Sequence, residues 1–240
     1  MTWNFSKSQV YGIYGELGGG KTLTAVDMMI SALDQGHKVI SNILLRNLSP
    51  KQQANYTFVE DLFTFDPWQF PQGAPRGSAS PARALVVLDE ISESFDQYSG
   101  QASKNFLSWL RHSSKRGQSV IMISQRPEFM AKPLRLLVSI WIVCIDLAHW
   151  RIPVLKIHLP FMSGYVGRNL YDRNGNLIST GFNLVNKKLV GYYYDTAQSI
   201  ALAGRDSNFV DVPPYLHPRY KVLFVLVAVW LFLALFLFGW

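Results

Sequence analysis

The sequence predicts an α/β fold with a mainly parallel central sheet, and two segments carry that prediction. The first is a glycine-rich loop, residues 15–22, which lies between a short apolar run, 10–14, and a segment with helical periodicity. The second is a continuous apolar run, 84–88, which ends at Asp89 and Glu90. A strand buried on both faces is apolar throughout, so this run is typical of the centre of a parallel sheet. The two carboxylates would then lie at its carboxyl end, where α/β sheets bind ligands.

The loop has the spacing Gly, four residues, Gly-Lys-Thr, which is the Walker A pattern of a phosphate-binding loop. Its glycines can adopt positive φ, so backbone N–H groups can converge on an anion at the positive end of the following helix. Lys21 is expected to reach the β- and γ-phosphates of ATP, and the Thr22 hydroxyl to bind Mg²⁺. The predicted nucleotide-binding residues are Gly15, Gly18, Gly19, Gly20, Lys21 and Thr22. The alternative is a glycine-rich turn that precedes a lysine by chance.

Between the loop and the second segment, the sequence predicts two helices, two strands and one irregular surface segment. The helix after the loop has one apolar face and ends near Gly36. Strands are expected at 39–43 and 56–59, with a short helix starting at Ser49 and Pro50 between them. Residues 65–83 are rich in Pro, Gly, Ser and aromatic side chains, which indicates a surface excursion.

The acidic pair after the apolar run fits the Walker B role. Asp89 is the candidate to hold Mg²⁺, directly or through water, and Glu90 is the candidate to polarise the attacking water. The alternative interpretation is a helix start capped by acidic residues. The position of the pair downstream of a phosphate-binding loop favours the catalytic interpretation.

A helix over 103–115 and a strand over 119–125 follow. In NTPases with an added strand between the two Walker strands, the polar tip of that strand senses the γ-phosphate. Gln125, or Ser124, is the candidate here; the alternative is an ordinary polar strand end. The sequence therefore predicts a P-loop NTPase of the additional-strand type.

Arginines cluster around this strand, and one of them could be an arginine finger offered to the nucleotide of a neighbouring subunit. The cluster contains Arg111, Arg116, Arg126 and Arg135. Arg116 and Arg126 are the leading candidates because they are expected near the edge of the sheet or in the loop that precedes the strand. The others are expected to be surface charges.

The second half of the chain predicts more strands and an anchor. Strands are expected at 138–147, 153–159 and 189–196, and an Asn-Gly turn predicts a hairpin at 171–178. The predicted organisation is a nucleotide-binding core over 1–150, a small β-rich appendage of the same domain over 151–200, a linker over 201–221 and a transmembrane helix over 222–240.

The anchor prediction depends on composition. Residues 222–240 carry no charge, and their length as a helix just spans a hydrocarbon core of roughly 30 Å. Arg219 and Lys221 precede the segment, so the positive-inside rule places the N-terminal domain in the cytoplasm. The N-terminus lacks the pattern of a signal peptide. A net charge of +7 suits anionic partners, and the lone Cys144 excludes a disulfide framework.

With these parts in order, the chain resembles the zonular occludens toxin-like (Zot) family, which includes the assembly and export ATPases of filamentous phages. The more specific parts are Arg116-Gly117 leading to Ser124-Gln125, and Tyr192 to Thr196 before a basic-flanked apolar segment. The resemblance implies an ATPase of the bacterial host's inner membrane that extrudes single-stranded DNA as coat protein is added. Family members often continue into a periplasmic domain; the chain is expected to end at the bilayer, so a separate periplasmic or outer-membrane channel partner is expected.

The leading hypothesis is thus a membrane-anchored ATPase, expected to form a homo-oligomeric ring, that powers virion assembly and export. The alternative is a DNA-packaging or conjugation-type translocase with the same core. A metabolite kinase or GTPase switch is a third class, although no guanine-recognition signal of the Asn-Lys-x-Asp type is present. A nucleotide-gated scaffold without turnover is the fourth.

Overall fold

The structure is a computed structural model that describes residues 3, 5, 8–60, 66–74, 83–95, 104–149, 164–179 and 183–194. The predicted linker at 201–221, the transmembrane helix at 222–240 and the strand at 153–159 lie outside these residues.

Within the described ranges, we find no helix with the length and apolar character needed to cross a membrane.

The described residues form a mixed α/β fold around an eight-stranded sheet with the order β3-β2-β4-β5-β1-β6-β7-β8. In that order, neighbouring strands from β3 to β6 pair in parallel. β7 pairs antiparallel with β6 on one side and with β8 on the other. The predicted, mainly parallel sheet is therefore confirmed, and β5 is the added strand between β1 and β4. The strands are β1 (Val10–Tyr14), β2 (Lys38–Ser41), β3 (Tyr56–Phe58), β4 (Ala84–Leu88), β5 (Gln118–Ile123), β6 (Ile140–Asp146), β7 (Tyr165–Asp172) and β8 (Asn183–Asn186).

Helices cover both faces of the sheet. They are α1 (Lys21–Asp34), α2 (Pro50–Gln53), α3 (Ile91–Ser94), α4 (Lys104–His112), α5 (Lys132–Arg135) and α6 (Lys187–Gly191), with 3₁₀ turns at Pro67–Gln69, Ser113–Arg116, Pro127–Phe129 and Leu147–His149. Because side chains alternate along a strand, Tyr11 and Ile13 pack into the core on the α1 side, whereas Val10 packs with Trp109 of α4 on the other. All of β4 is buried, which explains its unbroken apolar sequence.

The segment predicted as a surface excursion is anchored to the core in its described part. Phe70 is buried, and its ring lies edge-on at 5.0 Å from the ring of Trp109. The Trp109 indole N–H donates to Gln118 Oε1 at 3.0 Å, and the Gln118 amide donates to the Pro71 carbonyl at 2.9 Å. Proline content indicated irregular backbone, but it did not indicate that one aromatic side chain is buried.

One predicted strand is wrong. Residues 189–191, expected as part of a strand over 189–196, lie in α6, because the Asn186 side chain accepts the N–H groups of Lys188 and Leu189 and starts a helix. Residues 195 and 196 lie outside the described part. The Asn-Gly turn is present, with Gly175 at φ 83°, but its second flank makes only a bridge from Leu177 to Tyr171.

The described strands of the predicted appendage, β7 and β8, continue the central sheet beyond β6. Arg168 of β7 is buried and forms an ion pair with Asp27 of α1 at 2.7 Å, with its guanidinium over the Trp3 ring. This pair joins β7 to the helix that follows the glycine-rich loop. The division of the chain at residue 150 stays a prediction.

Candidate functional site

The predicted site residues of the loop and of the acidic pair meet at one edge of the sheet. β1, β4 and β5 are neighbours and parallel, so the segments that follow them leave the sheet on the same side. This is the edge where ligands bind in α/β proteins. The glycine-rich loop follows β1, Asp89 and Glu90 follow β4, and Ser124 and Gln125 follow β5.

The loop needs glycine at two positions for different reasons. Gly20 caps α1 with φ 84°, and a Cβ there would meet Val166 Cγ2 at 2.4 Å. Gly15 lies against the Cys144 backbone, and a Cβ there would be 2.5 Å from the Cys144 carbonyl oxygen. On the other side of β1, the Gly15 N–H donates to the carbonyl of Gln125, which follows β5, at 3.4 Å. The loop is therefore held from both neighbours of β1, β6 and β5.

Lys21 is folded onto the loop. Its ammonium donates to the carbonyls of Gly15 at 3.0 Å and Glu16 at 2.8 Å. Burial lowers the pKa of Lys21, and the nearby acidic groups, including Asp89 and Glu90, counteract that shift. The loop thus holds a partly desolvated cation beside its backbone N–H groups, which suits an anionic ligand.

Thr22 and Asp89 form the contact that joins the two predicted motifs. The Thr22 hydroxyl donates to Asp89 Oδ2 at 3.1 Å. A hydroxyl and a carboxylate oxygen side by side fit Mg²⁺, which takes few protein ligands and completes its shell with water and substrate phosphates. The described residues contain no group of three or more His, Cys, Asp or Glu that could hold a metal ion.

Asn42 is a site residue that the sequence analysis missed. It follows β2, its side-chain amide donates to the Asp89 carbonyl at 3.2 Å, and its side-chain oxygen accepts the Asp89 N–H at 2.8 Å. Both backbone groups of Asp89 are thereby held by one side chain. The available signal was weak: Asn42 is a polar residue near the carboxyl end of the strand expected at 39–43, and the structure ends that strand at Ser41.

Asn42→Ala should weaken the use of Mg²⁺ by this site. The substitution leaves the Asp89 N–H and carbonyl without partners, which loosens the carboxylate at a cost of about 1–3 kcal/mol. We expect the Mg²⁺ concentration for half-maximal ATP hydrolysis to rise about tenfold. Asn55→Ala, which removes an amide that donates to the Lys51 carbonyl, should leave this concentration unchanged. Equal Mg²⁺ dependence of the two variants would contradict the positioning role.

Glu90 occupies a strained backbone conformation. Its φ of 56° and ψ of 39° lie in the left-handed region, which is uncommon outside glycine and costs about 1–3 kcal/mol at functional sites. Its N–H donates to Asp89 Oδ1 at 3.0 Å, so the two acidic residues are coupled. Partial burial of its carboxyl, followed by the charges of Glu93 and Asp89, raises the pKa of Glu90.

Burial also raises the pKa of Asp89, although hydrogen bonds from Thr22 and the Glu90 N–H oppose the shift. A carboxyl whose pKa is higher in the folded than in the unfolded chain binds its proton more tightly when folded. Its ionised form therefore destabilises the fold above the unfolded pKa, and that penalty disappears as pH falls through the folded pKa.

Asp89→Asn should accordingly raise the thermal midpoint at neutral pH, measured without nucleotide or Mg²⁺. The gain over wild type should shrink as pH falls through the raised pKa, since the wild-type carboxyl is then protonated too. Glu60→Gln removes an exposed carboxylate and is the matched control, expected to leave the midpoint unchanged. A midpoint for Asp89→Asn below that of wild type at neutral pH would contradict the burial argument. The raised pKa of Glu90 predicts that hydrolysis declines on acidification at a higher pH than an ordinary carboxyl would set.

The structure places the tip of β5 beside the loop. Ser124 is buried, and its hydroxyl donates to the Arg126 carbonyl at 2.9 Å, so it is engaged in the turn. Gln125 is exposed, and its own carbonyl accepts the Gly15 N–H. Of the two candidates, Gln125 is the one whose side chain is exposed at the site edge; its role as γ-phosphate sensor stays a prediction.

The two candidate arginines lie at opposite ends of β5. Arg126 follows the strand, is exposed at the edge of the loop, and has its guanidinium 6.0 Å from the Phe129 ring. Arg116 precedes the strand, so within one chain it is not brought to the nucleotide site. Its guanidinium donates to the Trp68 carbonyl at 2.7 Å and lies over the Trp68 ring. Each remains a predicted finger for a neighbouring subunit, and the placement favours Arg126.

Curated phage proteins are similar to this chain in sequence. Among relatives, the Gene 1 protein of Escherichia phage If1 is 26% identical over 232 residues, which are 89% of this chain and 65% of the relative. The Gene 1 protein of Salmonella phage IKe is 28% identical over 167 residues, which are 65% of this chain and 45% of the relative. The chain thus spans less than two thirds of the length of these curated relatives.

Two solved structures are similar to the chain at low identity. The N-terminal domain of zonular occludens toxin from Neisseria meningitidis is 17% identical, with 79% of this chain and 100% of that chain covered, at a TM-score of 0.49. The genome packaging NTPase B204 from Sulfolobus turreted icosahedral virus 2, in complex with ATP-gammaS, is 14% identical, with 73% and 96% covered, at a TM-score of 0.48.

The family model for Zonular occludens toxin (Zot) matches residues 9–157, which include the loop, the acidic pair and the tip of β5. This match covers more than half of the chain and confirms the resemblance. The chain belongs to the zonular occludens toxin (Zot) family.

Proposed function

We propose that this chain is a membrane-anchored ATPase that powers the assembly and export of filamentous phage. The observation that carries the proposal is the Thr22–Asp89 hydrogen bond of 3.1 Å. It brings a phosphate-binding loop and a buried carboxylate to one point, with Glu90 bonded to the same carboxylate. A binding loop alone would suit any nucleotide-binding protein, whereas this combination suits hydrolysis.

In the proposed reaction, the loop N–H groups and Lys21 hold the β- and γ-phosphates of ATP, and Thr22 and Asp89 hold Mg²⁺. The bound ion would neutralise charge that develops on the phosphate oxygens. Glu90 accepts a hydrogen bond from water and receives its proton while the water oxygen bonds to the γ-phosphorus. The bond from that phosphorus to the β–γ bridging oxygen breaks, which yields ADP and phosphate. Gln125 contacts the γ-phosphate, and Arg126 reaches the nucleotide of a neighbouring subunit in a homo-oligomeric ring.

The cargo and location are part of the proposal. Membership of the Zot family and similarity to phage Gene 1 proteins support a role in phage assembly. We propose that residues 222–240 anchor the chain in the host inner membrane with residues 1–221 in the cytoplasm. The cargo is the phage single-stranded DNA with its coat protein, and a periplasmic or outer-membrane channel protein is the expected further partner.

The experiment is complementation of a filamentous phage from which the gene for this chain has been deleted. Wild-type chain supplied from a plasmid should restore particle release, and Lys21→Ala should not. Lys38→Ala, an exposed lysine outside the loop, should restore release as wild type does.

The alternative, a packaging or conjugation-type translocase, predicts a different outcome. The chain would then hydrolyse ATP and move DNA between cells or into capsids, but it would fail to restore release of filamentous particles. Restoration of release by Lys21→Ala would contradict any role for ATP.

A further inference from the structure

A groove lined by aromatic and basic side chains lies on the face of the sheet opposite α1. It encloses about 640 Å³ and includes Tyr14, Lys132, Arg135, Trp141, Tyr171 and Arg173, which we call the basic–aromatic groove. Its position follows from strand alternation, since Val10, Gly12 and Tyr14 share a face of β1, and Val10 packs on the side away from α1. None of these six residues takes part in the nucleotide site described above.

The floor of the groove is aromatic. Trp141 of β6 packs its ring against Gly12 of β1, where a Cβ would be 2.3 Å from that ring. The Tyr14 ring stands edge-on to Trp141 with the ring centroids 5.7 Å apart. Tyr171 is paired with Trp141 in the β6–β7 register, so a third ring lies beside the first two. All three residues are half-buried, so part of each remains accessible.

The rim of the groove is basic. Lys132 is exposed, and Arg135 has a buried Nε with no hydrogen-bond partner. Arg173 is exposed in the turn after β7, and its guanidinium is fixed by a hydrogen bond to the Leu136 carbonyl. Among the groove's described lining residues, the acidic group is Asp172, whose Oδ1 accepts the N–H groups of Asn174 and Asn176. The lining therefore carries three cations against one carboxylate.

We propose that the basic–aromatic groove binds a single-stranded polynucleotide, with bases on the aromatic floor and phosphates on the basic rim. Stacking platforms beside a basic track are the arrangement by which proteins hold single strands without sequence preference. The base of the bound ATP is a poorer match, because adenine carries no charge and the ATP phosphates belong to the loop. The inference deepens the proposed function and rests on it for the role of this binding in DNA export.

The groove adjoins both segments that would contact ATP. Tyr14 directly precedes Gly15, and Pro127, which also lines the groove, follows Gln125 and Arg126. A strand in the groove would thus lie against residues covalently continuous with the phosphate-binding loop and with the tip of β5. That continuity gives the bound polynucleotide a direct path to the ATP site.

The test is fluorescence anisotropy of a labelled oligothymidylate of about 16 nucleotides, with the full chain in detergent and without ATP. Wild type should bind with an affinity that falls steeply with salt. Lys132→Gln/Arg173→Gln should lower the affinity at least tenfold and reduce the salt slope by about 1.4, the loss expected for two phosphate contacts with a single strand. Tyr171→Leu, which keeps an apolar side chain, should lower it about fivefold through lost stacking.

Two controls make the outcome decisive. Lys51→Gln removes an exposed charge on α2, near the opposite end of the sheet, and should bind the oligonucleotide as wild type does. Lys21→Ala should lose ATP hydrolysis but keep oligonucleotide binding. A wild-type chain that binds the oligonucleotide but hydrolyses no ATP would contradict the proposed function and leave this inference standing. Equal affinities of the groove variants and Lys51→Gln would overturn it. So would loss of binding to a fluorescent ATP analogue in the groove variants, which would assign the groove to the base of ATP.

Discussion

Glu90→Gln should abolish ATP hydrolysis while ATP still binds. Glutamine keeps the size of the side chain and can occupy the same backbone conformation, but it cannot take a proton from water. General base catalysis contributes about 10²- to 10⁴-fold to a rate, so we expect kcat to fall by that factor. The measurement is steady-state phosphate release by detergent-purified chain, together with the Kd of a fluorescent ATP analogue.

Glu93→Gln is the matched control for this prediction. Glu93 lies three residues further along, in α3, and its charge raises the pKa of Glu90. Removal of the Glu93 charge should change kcat little. It should move the acid limb of the pH profile to lower pH, because Glu90 then ionises more easily. If Glu90→Gln and Glu93→Gln hydrolyse ATP equally well, Glu90 is not the base.

Lys21→Ala should prevent productive binding of ATP altogether. The substitution removes the cation that the loop carbonyls of Gly15 and Glu16 hold in place. Loss of a preorganised charge facing a transferred phosphoryl group costs about 10²- to 10³-fold in kcat, and binding of the phosphates should weaken as well. Phosphate release and analogue binding should therefore both fall, in contrast to Glu90→Gln, where only release falls.

Lys38→Ala provides the comparison for Lys21→Ala. Lys38 is exposed at the start of β2, at the amino end of the sheet, so it carries the same charge far from the loop. The Lys38→Ala chain should hydrolyse ATP at the wild-type rate. A Lys21→Ala chain that binds and hydrolyses ATP like Lys38→Ala would show that the loop does not hold the phosphates.

Much of the fold was predictable because it depends on local pattern. The apolar runs became β1 and β4 with their predicted bounds, and the periodic segment after the loop became α1. Strands buried on both faces and helices with one buried face leave unambiguous sequence patterns. The added strand β5 was also expected, since it follows a helical segment in the way that parallel strands require.

The errors occurred where a single side-chain contact decides the outcome. Residues 189–191 have strand-forming neighbours, yet the Asn186 side chain caps a helix at that point. Phe70 lies in a proline-rich segment, yet it is buried against Trp109. In both cases the decisive contact is made by one side chain, and composition averaged over a window does not report it.

Asn42 illustrates a different limit. Its identity was visible, but its role depends on β2 lying beside β4, which places its amide against the Asp89 backbone. The order of strands in a sheet is not encoded in any single segment. A polar residue near the end of a predicted strand becomes a candidate site residue only when the neighbouring strand is known.

By itself, the sequence determined the local chemistry of this protein: a loop that can turn backbone N–H groups toward an anion, and an acidic pair at the end of a buried strand. Those properties depend on glycine φ angles and on burial, which a short segment specifies. Only the tertiary structure decided that Thr22 and Asp89, 67 positions apart, share a hydrogen bond. It also separated Arg116 from the site and gathered three aromatic rings and three cations into one groove, because strand order and register bring together residues that are remote in sequence.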